Sequence, residues 1–474
     1  MKLKNVSRRS FLTTVTAGAA AVATANVVKP WENIADTIYG KSGESTQQLK
    51  IGTFDVDATP PVGNDLAYDP MTASWDFSLR ARGIVLIGAG KPIVLCAIDW
   101  IGIANESQDV FKQSLALAAG TTPGRVAVHT VHQHDAPICD FTSEKILKKN
   151  HLPVGCFDGT FARILIKNIQ QAISNTLKNL QAVTAVGFGK APVYEVASNR
   201  RIDMVNGKIR TMRGSSCDDP SLRAKPEGLI DPEVSVLSFW NKEKPVAVLS
   251  FYATHPQSYY RTGIANPDFP GIARCMRQLA VPDALHIHFN GAGGNIAAGK
   301  YNDGSRINRL VLAERMADGM KRAWDHTIKA SVSSKNIQWA TQPVLLPVNS
   351  KTAGIEKEMF KQTGPYLTNN MGRLGWYKRA LEGKTIDMNC LAINDNIRVF
   401  FVPGELFIEY QLNTKAMAPD KFVAMAAYGD YGPFYIGTKQ AYQEGGYEIE
   451  SSPVTEEAEK VILDTIHSLY RQTE

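Results

Sequence analysis

The central stretch of the sequence reads Val128-His129-Thr130-Val131-His132-Gln133-His134-Asp135-Ala136-Pro137. Residues 125–128 predict a buried strand that runs into this polar loop. Side chains two positions apart share a face of an extended chain, so we expect His132 and His134 to point one way and His129 the other. Two imidazoles converging at a strand end are typical of half a metal site, or of a ligand beside a proton carrier. The pair alone is also compatible with two partly solvated loop histidines.

Residues 1–25 predict an export signal. Ser7-Arg8-Arg9-Ser10-Phe11-Leu12 matches a twin-arginine motif, and a weakly apolar run leads to the small-x-small sequence Ala23-Thr24-Ala25. The run is too short and too rich in alanine and threonine to serve as a membrane span, although an uncleaved tether is the alternative. After a linker over residues 26–48, we expect a periplasmic or secreted protein with no integral membrane segment in the mature chain.

The charge of the chain argues against a nucleic-acid partner. The formal net charge is +6, but four basic residues and no acid lie in residues 1–25, so the remainder is nearly neutral. No run of lysine and arginine stands out in that remainder, and we expect no nucleic acid to bind. The composition, 44% hydrophobic and 21% charged, is that of a globular protein.

Strand and helix patterns alternate along residues 49–474. The predicted strands cover 82–87, 92–103, 125–128, 234–239, 245–253, 285–289, 396–403 and 422–427, and the predicted helices cover 106–119, 160–180, 269–279, 308–326 and 455–471. This order predicts a single large α/β catalytic domain with a mixed β-sheet core flanked by helices. No internal repeat is visible. The weakly patterned segment 349–387 is interpreted as a surface excursion.

Other strand ends also carry polar residues. The buried strand 245–253 delivers His255, and Pro256 holds that histidine in an extended conformation. A second apolar strand ends in Pro403-Gly404-Glu405. Each residue has a structural alternative: a buried histidine satisfied by hydrogen bonds, and a carboxylate in the first turn of a helix. Five tyrosines between 428 and 447 are typical of a substrate mouth beside a metal, or of ordinary packing.

Taken together, these segments resemble the catalytic domain of the neutral/alkaline non-lysosomal ceramidases, of which this chain would be a divergent member. They occur in the family's order, from about residue 50 to residue 448. The matched segments are Ile51–Gly63, the opening signature; His132–Pro137, for H-T-H-S-G-P; Ser198–Arg200, for I-N-R; Phe251–Pro256, for F-A-x-H-P; Asn266–Asp268, for N-S-D; Pro403–Glu405, for P-G-E; and Tyr435–Tyr447, for the tyrosine motif. Each motif is short, but the ordered set is specific.

The resemblance implies one Zn²⁺ per chain at the strand ends. Carried over position by position, the metal ligands are His132, His255, Glu405 and Tyr435. The family's proton-transfer histidine falls on His134, and its contacts to the substrate carbonyl and oxyanion fall on Arg200 and Tyr447. Two histidines and a carboxylate form an ordinary catalytic zinc set.

The family's G-D-V-S-P-N turn reads Gly294-Asn295-Ile296-Ala297-Ala298-Gly299 here. Ala297 therefore replaces the serine that the family places beside the zinc, and Asn295 replaces its acid. Two changes in one turn indicate a re-shaped substrate pocket, and so a substrate other than ceramide.

The resemblance implies an exported zinc-dependent amidohydrolase, acting on carbon–nitrogen bonds other than peptide bonds. It would cleave the amide (N-acyl) bond of a small-molecule or lipid-like acyl substrate by metal-activated water. Two alternatives are open: a zinc esterase or deacetylase acting on a glycan or small acyl substrate, and a non-catalytic binding protein that keeps the metal pocket.

Overall fold

The structure is a computed structural model that describes residues 48–358 and 364–474. The predicted signal peptide and nearly all of the predicted linker lie outside these residues. The described residues form one compact unit.

Three successive parts of the chain repeat one topology. In each repeat three strands form an antiparallel meander, a helix follows the third strand, a fourth strand returns parallel to the third, and a second helix packs on the first strand. Repeat 1 comprises β1 (Lys50–Asp57), β2 (Arg80–Gly88), β3 (Gly90–Ile98), α1 (Glu106–Ala119), β4 (Val126–Thr130) and α2 (Thr160–Thr176). Repeat 2 comprises β5 (Ala185–Pro192), β6 (Glu233–Asn241), β7 (Lys244–Tyr252), α3 (Asp268–Ala280), β8 (Leu285–Asn290) and α4 (Asn308–Asp325). Repeat 3 comprises β9 (Ile337–Val344), α5 (Gly364–Leu381), β10 (Ile386–Ile393), β11 (Ile397–Phe401), α6 (Ile408–Ala416), β12 (Phe422–Ala426) and α7 (Ala458–Arg471).

The parallel strand pairs lie at the centre of the molecule. Strand β8 contacts β3 and β4 of repeat 1 and β12 of repeat 3. One buried apolar cluster takes residues from all three sheets, including Leu95, Leu249 and Val399. Removing these side chains from water is the main force that holds the repeats together. The strand ends of all three repeats are thereby brought to one region.

Helices cover the outer face of each sheet. In α2, for example, Ala162, Leu165, Ile169 and Ile173 are buried and recur at helical spacing, so one stripe of the helix faces its sheet. Separate apolar clusters of this kind lie in each repeat. The predicted α/β class, with mixed sheets flanked by helices, is therefore confirmed.

The predicted strand 92–103 is interrupted. Strand β3 ends at Ile98, because the next residue, Asp99, turns into a buried ion pair with Arg274 at 2.6 and 2.7 Å. Pairing resumes only at the short strand Gly102–Ile103. The predicted helix over 160–180 ends at Thr176, four residues early.

The segment 349–387 is more than a surface excursion, which corrects the sequence interpretation. Its helix α5 buries Met371, Leu374 and Trp376 in the core of repeat 3. The sequence did not predict this helix because its glycines have low helix propensity. The structure explains one of them: a Cβ at Gly372 would lie 2.8 Å from the ring of Phe434.

Shorter elements fill the connections. The strands are Ile138–Cys139, Gln181–Ala182, Ser198–Asn199, Arg201–Val205, Lys208–Met212, Ile296–Ala297, Ile328–Ser331, Glu405–Leu406 and Tyr435–Ile436, and the helices are Phe141–Lys149, Pro220–Ala224, Ile355–Glu358, Lys439–Glu444 and Tyr447–Ser451. Within the described ranges, no helix has both the length and the apolar character needed to cross a membrane.

Candidate metal centre and its cavity

Each repeat delivers one candidate ligand just beyond a central strand. His132 follows β4, His255 follows β7 and Glu405 follows β11, and all three are buried. The Nε2 atoms of the two histidines lie 3.1 Å apart, and Glu405 Oε2 lies 3.4 Å from His132 Nε2 and 3.3 Å from His255 Nε2. Ligands held at about 2.0–2.1 Å around a tetrahedral zinc ion stand roughly 3.3 Å from one another. The triangle therefore has the dimensions of three ligands of one ion.

The outer atoms of these side chains are fixed by the protein. Nδ1 of His132 bonds to the carbonyl oxygen of Ile101 at 2.6 Å, and Nδ1 of His255 bonds to that of Gly293 at 2.9 Å. A carbonyl only accepts, so each Nδ1 carries the proton and each Nε2 presents its lone pair.

The carboxylate of Glu405 is held in a comparable way. Its Oε1 accepts a hydrogen bond from the Tyr431 hydroxyl at 2.8 Å. Its Oε2 is buried and accepts no hydrogen bond from any described residue. Burying a carboxylate oxygen without a partner is costly, and so this donor set fits a cation.

His134 adds a third imidazole. The nitrogens that His132, His134 and His255 would offer a metal all lie within 4.8 Å of one another. Neither ring nitrogen of His134 has a hydrogen-bond partner among the described residues, and its ring stacks on that of Tyr68 at 5.4 Å. Burial is the largest cause that holds the pKa of His134 well below 6.5, and the charge of Arg200 acts in the same direction. Its imidazole is therefore neutral and suited either to ligation or to proton transfer.

His132 and His134 converge for a reason other than the alternation of side chains along a strand. Strand β4 ends at Thr130, and His132 adopts a left-handed backbone conformation with φ of 74°. His129, still within the strand, does lie elsewhere. Its Nδ1 bonds to the carbonyl of Ala427 at 2.7 Å, and its ring packs against Phe401 at 5.4 Å.

A cavity of about 310 Å³ contains this centre. We call the floor of the cavity the lining residues His132, Glu405 and Tyr431, together with His255, which lies against His132 and Glu405. In each repeat, the connection between the first and second strands brings one more residue to the same edge. We call these three residues the walls: Tyr68, Arg200 and Arg373. Of these, Tyr68 and Arg373 line the cavity directly.

Arg200 reaches the cavity through two tyrosines. Its Nη1 donates to the Tyr435 hydroxyl at 3.3 Å and to the carbonyl of Gly294 at 3.3 Å. Its guanidinium also lies 5.7 Å from the ring centre of Tyr447, a half-exposed residue. The structure thus places the hydroxyl of Tyr435, a predicted ligand, beside Arg200, while its ring stacks on His255 at 6.2 Å. Burial, and then the charge of Glu405, raise the pKa of Tyr435 well above 10.

All seven predicted site residues therefore lie in one region. Sequence reasoning missed Tyr431 as the partner of Glu405, and Tyr428, whose ring stacks on His132 at 4.5 Å. The run of tyrosines pointed to this region without separating its members. Tyr442, from the same run, instead donates to the carbonyl of Val454 at 2.9 Å.

The altered turn has a structural role. Oδ1 of Asn295 accepts from the Ile408 amide at 2.8 Å at the start of α6, and its Nδ2 donates to Glu409 at 3.0 Å. Ala297 is buried in a short strand that pairs with Ser198–Asn199, and it is not among the described residues that line the cavity.

The fold and the site together define a mixed α/β protein with a buried histidine–carboxylate centre where three strand ends meet. Its fold is that of the neutral ceramidases. The crystal structure of neutral ceramidase from Pseudomonas aeruginosa matches with a TM-score of 0.62 and 14% identity, over 90% of this chain and 75% of that chain. A ceramidase complexed with C2 matches with a TM-score of 0.62 and 15% identity, over 90% of this chain and 76% of that chain. No family model and no curated protein matches the sequence. The resemblance predicted from the motifs is confirmed at the level of the fold.

Proposed function

We propose that the protein is a zinc-dependent hydrolase that cleaves the amide bond of an N-acyl compound. The observation that carries this proposal is the triangle of His132 Nε2, His255 Nε2 and Glu405 Oε2, three buried side chains with separations of 3.1 to 3.4 Å. The fold shared with neutral ceramidases supports the same reaction class.

Three residues would hold the ion: His132, His255 and Glu405. The family resemblance adds Tyr435 as a fourth ligand. Imidazole nitrogens with one carboxylate suit Zn²⁺. A zinc ion in such a site supplies a Lewis acid that brings the pKa of water toward neutrality.

His134 is proposed to move the proton. Neither nitrogen of its neutral imidazole has a partner among the described residues, so the unprotonated nitrogen is free to accept a proton from the attacking water. The water oxygen bonds to the carbonyl carbon, the carbon–nitrogen bond breaks, and the amine leaves with the proton that His134 returns. Arg200 and Tyr447 are proposed to hold the negative charge that develops on the carbonyl oxygen.

Metal analysis of the purified protein, followed by an acyl-substrate screen with and without chelator, tests the proposal. The screen should pair each N-acyl compound with its O-acyl counterpart. We expect one zinc per chain, hydrolysis of N-acyl compounds, loss of activity with chelator and recovery on adding zinc. Preference for the O-acyl members would identify an esterase or deacetylase. Bound metal without hydrolysis of either set would identify a binding protein.

We also propose that the protein is exported through the twin-arginine pathway. The support is the motif Ser7–Leu12 and the small residues Ala23–Ala25. Replacing Arg8 and Arg9 together by lysine should leave the unprocessed chain in the cytoplasm, as fractionation and mass analysis would show. Unchanged export of that double variant would contradict the proposal.

A further inference from the structure

Arg373 is a cavity residue whose charge has no acidic partner among the described residues. It lines the wall with Asn370 and Ser451. Its Nη1 donates to Asn370 Oδ1 at 3.3 Å and its Nη2 to the carbonyl of Glu450 at 3.4 Å, both long for hydrogen bonds. Its Nε is buried and has no hydrogen-bond partner in the part of the chain that the structure describes. No carboxylate of the described residues forms an ion pair with it.

The neighbouring guanidiniums are balanced by acids. Arg200 Nε lies 3.9 Å from Glu448 Oε1, and Arg201 pairs with Glu448 at 3.3 Å and with Glu444 at 3.0 Å. Of these three arginines, Arg373 alone has a guanidinium that pairs with no carboxylate of the described residues. Such a fork matches the two oxygens of a carboxylate.

The rest of the cavity favours a small ligand with one apolar part. Its volume of about 310 Å³ lies at the lower end of the roughly 300–1,000 Å³ typical of small-molecule sites. Tyr68, Tyr431 and Phe434 supply aromatic surface. On the side of Tyr68, the exposed Arg261 lies 5.7 Å from that ring and adds a second positive charge near the cavity.

We propose that Arg373 binds a carboxylate on the substrate, which makes the substrate an N-acyl amino acid or a related small N-acyl compound with a free carboxylate. This inference rests on the proposed function for the reaction at the amide bond. The carboxylate lies on either the amine side or the acyl side of the amide. The number of substrate atoms between the amide and the carboxylate sets its distance from the reacting carbon.

A homologous ligand series tests the inference. In N-acetyl ω-amino acids, one to four methylenes separate the amide nitrogen from the carboxylate, and in N-butyl monoamides of dicarboxylic acids the carboxylate is on the acyl side. Each compound is compared with its methyl ester. kcat/KM is measured with the zinc-loaded protein, and Kd is measured by calorimetry with ketone analogues that carry CH₂ in place of the amide NH.

Three variants accompany the wild type. Arg373→Gln removes the charge, and Arg373→Lys keeps the charge without the planar fork. Lys378→Gln is the matched control, because it removes a positive charge from the same helix at the surface, where Lys378 pairs with Glu356 at 2.6 Å.

We expect the wild type to bind the best carboxylate about 10- to 100-fold more tightly than its ester, the range of a hydrogen-bonded charge. Arg373→Gln should remove this difference by raising Kd and KM for the carboxylate, and should leave the Kd and KM of the ester nearly unchanged. Arg373→Lys should restore part of it, and Lys378→Gln should match the wild type. Equal wild-type affinity for acids and esters, or equal losses for both in Arg373→Gln, would overturn the inference.

Failure of the reaction is separable from failure of the inference. If no amide is hydrolysed but the ketone acids still bind more tightly than their esters, the proposed function fails and the carboxylate site stands. If neutral amides are hydrolysed as well as anionic ones, the hydrolase stands and the carboxylate site fails.

Discussion

The floor and the walls of the cavity each take residues from all three repeats but differ in how fully their polar atoms are satisfied. On the floor, each atom that faces away from the triangle is held by a neighbour: His132 by Ile101, His255 by Gly293 and Glu405 by Tyr431. In the walls, equivalent connections carry a tyrosine and two arginines, and no described acid pairs with Arg373. We expect the fixed floor residues to carry the reaction, and the wall residues, which differ in type, to select the bound molecule. The predictions below test this division.

The largest effect should come from removing a floor ligand. His132→Ala and His255→Ala should each lose more zinc affinity than the roughly 10–100-fold that a change around a metal site costs, because each deletes one of three donors. Metal content after dialysis measures this. His129→Ala is the control: its ring packs in the core away from the triangle. Zinc loss in His129→Ala with retention in His132→Ala would contradict the assignment.

A substitution of His134 distinguishes between its two candidate roles, metal ligand and proton carrier. His134→Ala should keep its zinc and lose about 10²–10⁴-fold in kcat, as for a general acid–base group. Parallel measurement of metal content and kcat distinguishes the roles. Equal loss of zinc and rate would make His134 a ligand, and the floor would then contain three histidines.

A smaller effect is expected at the support of Glu405. Tyr431→Phe removes the hydrogen bond to Oε1 and should weaken zinc binding by about 10-fold, at the lower end for such partners. Tyr442→Phe is the matched control, since its hydroxyl bonds to the carbonyl of Val454 and to Ser452, away from the floor. Competition with a zinc chelator gives both affinities. The same loss in both variants would point to a general effect on folding.

The smallest effect on activity is expected from Ala297→Ser. The residue is buried and is not among the described residues lining the cavity, so kcat/KM on the best substrate should change little. Thermal unfolding should report a cost of about 1–3 kcal/mol for overpacking a filled position. A large gain in ceramide hydrolysis would instead place residue 297 in the substrate site.

The sequence predicted the elements whose pattern is local. Helix α1 was predicted with the bounds Glu106–Ala119, because apolar residues recur at helical spacing up to a terminal glycine. Strand β7 was recognised from its continuous apolar run, and His255 from its place after that run.

Features that depend on contacts distant in sequence could not be predicted. The threefold repetition lies in strand order, and the connections that separate equivalent strands differ in length and residues. The glycine-bearing α5 was hidden because Gly372 serves close packing on Phe434, a contact that only the folded chain creates. The separation of Arg373 from the acids of the described ranges is a property of its surroundings, and it has no signature in the residues beside it.

The meeting of three strand ends also has a consequence for the order of folding. His132 and His255 are 123 residues apart in the chain, and Glu405 comes from the third repeat. Closing such long loops is slow relative to local structure, so the triangle can form only after the repeats have docked. An ion that binds only the native state at 100 times its Kd adds about 2.7 kcal/mol to the free energy of unfolding. The twin-arginine pathway carries folded proteins, and under the proposed route the ion would be acquired before the chain leaves the cytoplasm.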